Sequence, residues 1–202
     1  ALLSDFPKIH QTFNLVPSLL KQIQDYVEND VHDKFLELAL KPADELAHED
    51  KLFLLKNSFM ANWDTMIQPY PAYWQLLDRR GKSVTLNDLE NATRYFTNQD
   101  YRDLQVWFNL TWFDPIFKRN DPLVKGLIGK GSGFTEEEKL LLLEKQREVM
   151  ALIIPEYKKL AEQGRIELTT TPFYHPILPL LVDTDLARVA TPDIHLPLHR
   201  FT

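Results

Sequence analysis

The chain has 202 residues, 44% of them hydrophobic, and a formal net charge of -6, enough for a substantial core in one domain or one elaborated domain. The acidic balance and the lack of a Lys/Arg block argue against nucleic acid as a partner, because counterion release needs a concentrated basic face. With no cysteine, a disulfide framework, a thiolate zinc site and a cysteine nucleophile are excluded, and a reducing, cytoplasmic setting is expected.

Apolar runs are broken by Lys, Pro or Asp well before the roughly eighteen residues a membrane span requires, so no membrane partner is expected. The chain opens at Ala1 without the charged and apolar regions of a signal peptide, and reads as an internal or processed piece. Residues 12 to 16, Thr-Phe-Asn-Leu-Val, have the β-branched, aromatic and aliphatic character of a short buried strand. Pro17 then suits the first turn of a helix. Leu19, Leu20, Ile23, Tyr26 and Val27 fall at helical spacing and predict one packed face, with Lys21, Gln22 and Gln24 left in solvent.

From about 31 to 163 the pattern is helical, with segments expected at 31 to 40, 43 to 61, 70 to 79, 87 to 97, 99 to 112 and 135 to 162. The last opens on Thr135-Glu136-Glu137-Glu138, a capping box, and Gly164 closes it. Pro155 inside it predicts a kink or a split, since proline removes an amide donor and crowds the preceding turn. Lys130 to Gly133 reads as a loop and the most mobile point; it lacks the spacing and preceding strand of a phosphate-binding loop.

Arg165 to Thr170 alternates apolar and polar residues between Gly164 and Pro172, which predicts a second strand. Thr169 to Leu181, TTTPFYHPILPLL, would then lie at the C-terminal end of that strand, where ligand sites of parallel α/β sheets gather. Beyond it, 177 to 188 allows a short helix.

GRIELTTTPFYHPILPLLVDTDLA resembles the second conserved region of glycoside hydrolase family 57. TFNLVPSLLKQIQDY at 12 to 26 resembles that family's second barrel strand and its helix, and DLQVWFNLTWFDP at 103 to 115 resembles its helical insertion. The resemblance implies an α/β, helix-rich fold, a partial (β/α)7-type barrel with a large helical insertion between two parallel strands. It further implies a retaining glycoside hydrolase or glucanotransferase acting on an α-glucan or oligosaccharide, without a cofactor. Retention needs two carboxylates facing each other across the scissile bond. In the family these follow the second conserved region, so the remainder of the catalytic domain is expected downstream and residues 1 to 202 are expected to be an inactive piece of it. His10-Gln11 precedes the second strand and does not match the family's first motif, His-Gln-Pro. The alternative is a non-catalytic helical interaction or carbohydrate-binding module.

By the resemblance, His175 lines the sugar subsite beside the scissile bond, with Tyr174 and Thr171 on the same wall. A neutral imidazole there can hydrogen-bond a sugar hydroxyl; the competing reading is a core histidine bonded to a carbonyl. Trp63, Trp74, Trp107 and Trp112, with Tyr70, Tyr73 and Phe113, invite sugar stacking, but aromatic residues at helical spacing point to core. Glu136 to Glu138 read as capping and solvated residues. Asp183 and Asp185 read as a helix start rather than metal ligands or catalytic acids. His195 and His199 would have zinc-ligand spacing only on a helix, which Pro197 opposes.

Overall fold

The computed structural model describes residues 3 and 6–199. It is a helix-rich α/β structure whose two strands, β1 (Gln11–Leu15) and β2 (Ile166–Thr170), are parallel neighbours. The register runs from Gln11 opposite Ile166 to Leu15 opposite Thr170, so segments 151 residues or more apart in sequence finish side by side. The residues divide into two compact units, Ala1–Asn29 with Ala151–Thr202, and Asp30–Met150.

In the first unit, Pro17 stands at the first position of helix α1 (Pro17–Glu28), where its missing N–H costs no intrahelical bond. Leu20, Ile23, Tyr26 and Val27 are half-buried and Lys21, Gln22 and Gln24 exposed, as the spacing predicts, while Leu19 departs from the expected face at 53% exposed. Strand β1 is not the buried strand expected from its composition. Only Ile166 is buried in β2 and no residue is buried in β1, because a sheet of two strands offers little area for a covering layer. Phe13 of β1 meets Tyr157 edge-on, ring centroids 5.4 Å apart.

The second unit is all helix: α2 (Lys34–Leu40), a single turn at Ala43–Glu45, α3 (His48–Asn57), a π-helical turn at Trp63–Ile67, α4 (Pro71–Arg80), α5 (Leu86–Thr93), α6 (Asn98–Thr111), α7 (Pro115–Asn120), α8 (Pro122–Lys130) and α9 (Glu136–Ala151). Ala151, the last residue of α9, falls in the first unit. The expected helix over 43 to 61 is thus broken into a short turn and α3. Helices α7 and α8 fall outside the expected segments, although each carries a local signal: Asp114 and Asp121 cap the N–H groups of Ile116, Leu123 and Val124, and a proline follows at the first helical position.

The expected long helix over 135 to 162 splits at Leu152 into α9 and α10 (Ile153–Glu162). Pro155 falls in the first turn of α10, where no amide donor is needed; a continuous helix would press its ring on the Ala151 carbonyl. Gly164, at φ 64°, ends α10 in the left-handed region that favours glycine.

Helix α6 is the centre of this unit, with Tyr101, Leu104, Val106, Trp107 and Leu110 all buried. Trp107 stacks on Tyr73 (5.7 Å, 8°), contacts Tyr70 (5.0 Å) and Phe134 (6.2 Å), and donates its indole N–H to the Gly131 carbonyl at 2.7 Å. The buried Asp103 carboxylate accepts from the N–H groups of Gly133 (2.9 Å) and Phe134 (3.0 Å) and from the Gln99 amide (2.8 Å). The loop after Lys130, expected to be the most mobile point, is therefore pinned from α6 at both ends.

Thr135 and Glu138 form the expected capping box: Thr135 Oγ1 accepts from the Glu138 N–H at 3.2 Å, and the Glu138 carboxylate accepts from the Thr135 N–H at 2.8 Å. Glu136 does more than face solvent. It accepts from Arg102 Nε (2.6 Å) and the Ala43 N–H (3.1 Å) and pairs with the fully buried Lys139 ammonium (2.7 Å). Lys139 also donates to the Lys41 carbonyl at 2.7 Å and to Gln105 Oε1 at 3.3 Å, and Gln105 donates to the carbonyls of Leu38 (2.5 Å) and Lys41 (3.0 Å).

Burial raises the Glu136 pKa, but hydrogen bonds from Lys139, Arg102 and the Ala43 N–H outweigh it and hold the group at about 2, against 4.5 for a free side chain. Because the folded value lies below the unfolded one, its stabilisation is complete above about pH 4.5 and disappears as pH falls toward 2. Urea unfolding between pH 6 and pH 2.5 should show a loss of up to about 3 kcal/mol from this group. Glu136→Gln should flatten that part of the slope; an unchanged acid slope in the variant would place the lability elsewhere.

Candidate functional site

Because β1 and β2 are parallel, their C-terminal ends lie together, and Thr170 closes that end by donating its hydroxyl to the Leu15 carbonyl at 2.9 Å. The chain then leaves the sheet through Thr171 and Pro172 and turns back on itself, the Pro172 carbonyl accepting from the His175 N–H at 2.8 Å. This turn holds His175 at φ 54°, in the left-handed region, where a side chain with a Cβ is uncommon and typically costs on the order of 1 kcal/mol. Pro176 follows immediately and removes one more backbone freedom.

The three site residues named from the sequence are thereby gathered on one short loop. His175 is exposed rather than sealed in an apolar core, and its Nδ1 lies 3.1 Å from the Thr171 hydroxyl. Tyr174 is 86% exposed, its ring edge-on to Phe173 at 4.8 Å. The loop offers an imidazole, a phenol and an aromatic face at the end of a sheet, groups that together can hydrogen-bond and stack on a polar ring compound. Thr170 was not among the residues singled out from the sequence. Its signal was the run of three threonines, but its partner across 155 positions appears only once the strands are paired.

Other candidates resolve into structural roles. Asp183 accepts from the Asp185 N–H at 2.8 Å and caps the turn Thr184–Leu186, as a helix start requires. His195 and His199 are exposed on non-helical chain, without the spacing a helix would give them. Trp107, Tyr73 and Phe113 are core, and Trp63, Tyr70 and Trp74 pack against that core while half-buried. Trp112 departs from the core reading at 55% exposed, because α6 ends at Thr111 and the chain turns toward α7. No helix of the described residues is long and apolar enough to cross a membrane.

A parallel strand pair separated by a long helical excursion, with a histidine-bearing loop at the strands' C-terminal ends, defines a helix-rich α/β protein. Glycosyl hydrolase family 57 matches over residues 2–191, and the chain belongs to that family. No curated protein and no solved structure matched it.

Proposed function

We propose that this chain is part of the catalytic domain of a retaining α-glucan hydrolase or glucanotransferase, a partial (β/α)7-type barrel whose sugar-binding wall includes His175, Tyr174 and Thr171. The observation that carries it is the exposed imidazole of His175, held by backbone geometry at the joined ends of two parallel strands in a family of glycoside hydrolases. Its Nδ1 is engaged by Thr171 and its Nε2 has no protein partner among the described residues, so Nε2 is the atom directed at a sugar hydroxyl. No metal or organic cofactor enters the scheme.

Retention requires a nucleophile and an acid/base facing each other. The carboxylates that flank the loop in sequence have other partners: Glu167 accepts from the Thr12 hydroxyl at 3.2 Å, Asp183 caps a turn, and Asp185 pairs with Arg188 at 3.3 Å. The catalytic pair is assigned to other sequence of the same catalytic domain, and this chain alone should release no product from amylose or a maltooligosaccharide. Turnover by rigorously purified chain would overturn that assignment.

In the enzyme that contains these residues, His175→Ala should reduce kcat/KM by the equivalent of roughly 1 to 3 kcal/mol, the cost of a polar partner left unpaired. The melting temperature should scarcely move, because the side chain is exposed and contributes little packing. A variant that melts well below wild type with undiminished activity in its folded fraction would show a structural histidine instead.

A further inference from the structure

We infer that Thr171 is a positioning residue that fixes the tautomer of His175, donating its hydroxyl proton to Nδ1 and leaving the hydrogen on Nε2, where it points at the ligand. This rests on the proposed role of His175 in sugar binding and specifies how the loop presents that ring.

The Thr171 hydroxyl lies 3.1 Å from Nδ1 and has no second partner among the described residues. A hydroxyl has one proton to place, and Nδ1 is the protein acceptor within reach. A neutral imidazole carries its hydrogen on one nitrogen, so accepting at Nδ1 leaves Nε2 as the donor. The backbone supports the same geometry. The bond from the His175 N–H to the Pro172 carbonyl and the left-handed φ of His175 fold the four-residue step from Thr171 to His175 tightly enough for the side chains to meet. Thr170, one residue earlier, anchors to the Leu15 carbonyl, so the base of the loop is tied to both strands. Thr171 thus belongs to the binding wall through the ring it orients, and the wall presents a hydrogen-bond donor to the oxygen of a sugar hydroxyl.

The test uses the 15N-labelled chain at a pH where His175 is neutral, comparing wild type, Thr171→Val and Thr171→Ser. Long-range proton–nitrogen correlation spectra distinguish a protonated from an unprotonated ring nitrogen. Wild type and Thr171→Ser should show hydrogen on Nε2 and an unprotonated Nδ1, whereas Thr171→Val, which keeps the shape and loses the hydroxyl, should show a mixture of tautomers. A wild-type ring protonated on Nδ1, or a Thr171→Val spectrum identical to wild type, overturns the inference.

Titration of the same samples, and of His175→Ala, with maltoheptaose separates this result from the proposed function. Thr171→Val should weaken binding about twofold, because only about half of its rings then carry the donor on Nε2, with recovery in Thr171→Ser. If His175→Ala binds maltoheptaose as wild type does, or wild type binds none, the sugar-site reading falls, while the tautomer spectra still decide the role of Thr171.

Discussion

Trp107→Ala should lower stability by about 4 kcal/mol, within the range for deleting a large buried aromatic side chain. Trp107 is 1% exposed and touches Tyr70 and Tyr73 at the start of α4 and Phe134 in the loop before α9. Removing the indole opens a cavity that three rings cannot jointly fill, and it leaves the Gly131 carbonyl without its donor. Urea unfolding followed by circular dichroism measures the loss. Trp107→Phe should recover part of the packing without the Gly131 bond and fall between the two. A cost below about 1 kcal/mol for the alanine variant would mean that the ring cluster is not the centre of this unit.

The second large effect is expected at Lys139. Lys139→Ala should cost about 3 kcal/mol, because removing one member of a buried ionic network strands the groups it satisfied. Those groups are the Glu136 carboxylate, the Lys41 carbonyl and Gln105 Oε1. Burial pushes the Lys139 pKa down even though Glu136 pulls it up, so the ammonium is held at a desolvation cost and the net worth of the pair is small compared with the penalty for breaking it. Lys139→Met with Glu136→Gln should therefore destabilise less than the sum of the two single variants, with a coupling of about 1 to 3 kcal/mol. Strict additivity would show that the two side chains do not act as a unit.

Both effects concern the helical unit, and both were only partly legible in the sequence. Helical spacing correctly marked Trp107 as core, yet the same spacing argument covered Trp112, which ends exposed because the helix stops at Thr111. Glu136 to Glu138 read alike as capping and solvated residues. The Glu136 partners Arg102 and Ala43 lie 34 and 93 residues away, and no local pattern announces a bond across such a distance. Loop composition suggested mobility at Lys130 to Gly133; the anchors that remove it, Asp103 and Trp107, sit on another helix.

What the sequence determined by itself is local chemistry. Pro17, Thr135 with Glu138, Pro155 and Gly164 set starts, a split and an end of helices through hydrogen bonds and steric limits that act within a turn or two. The strand before TTTPFYHP and the placement of His175 just beyond it were legible for the same reason. Only the tertiary structure decided the parallel register of Leu15 with Thr170 and the identity of the groups that Lys139 and Asp103 satisfy. It also decided that His175 takes a left-handed backbone and shares Nδ1 with Thr171. Those outcomes follow from the geometry of the turn or from residues remote in the chain, and short-range propensity carries no information about partners that folding alone brings within a few ångströms.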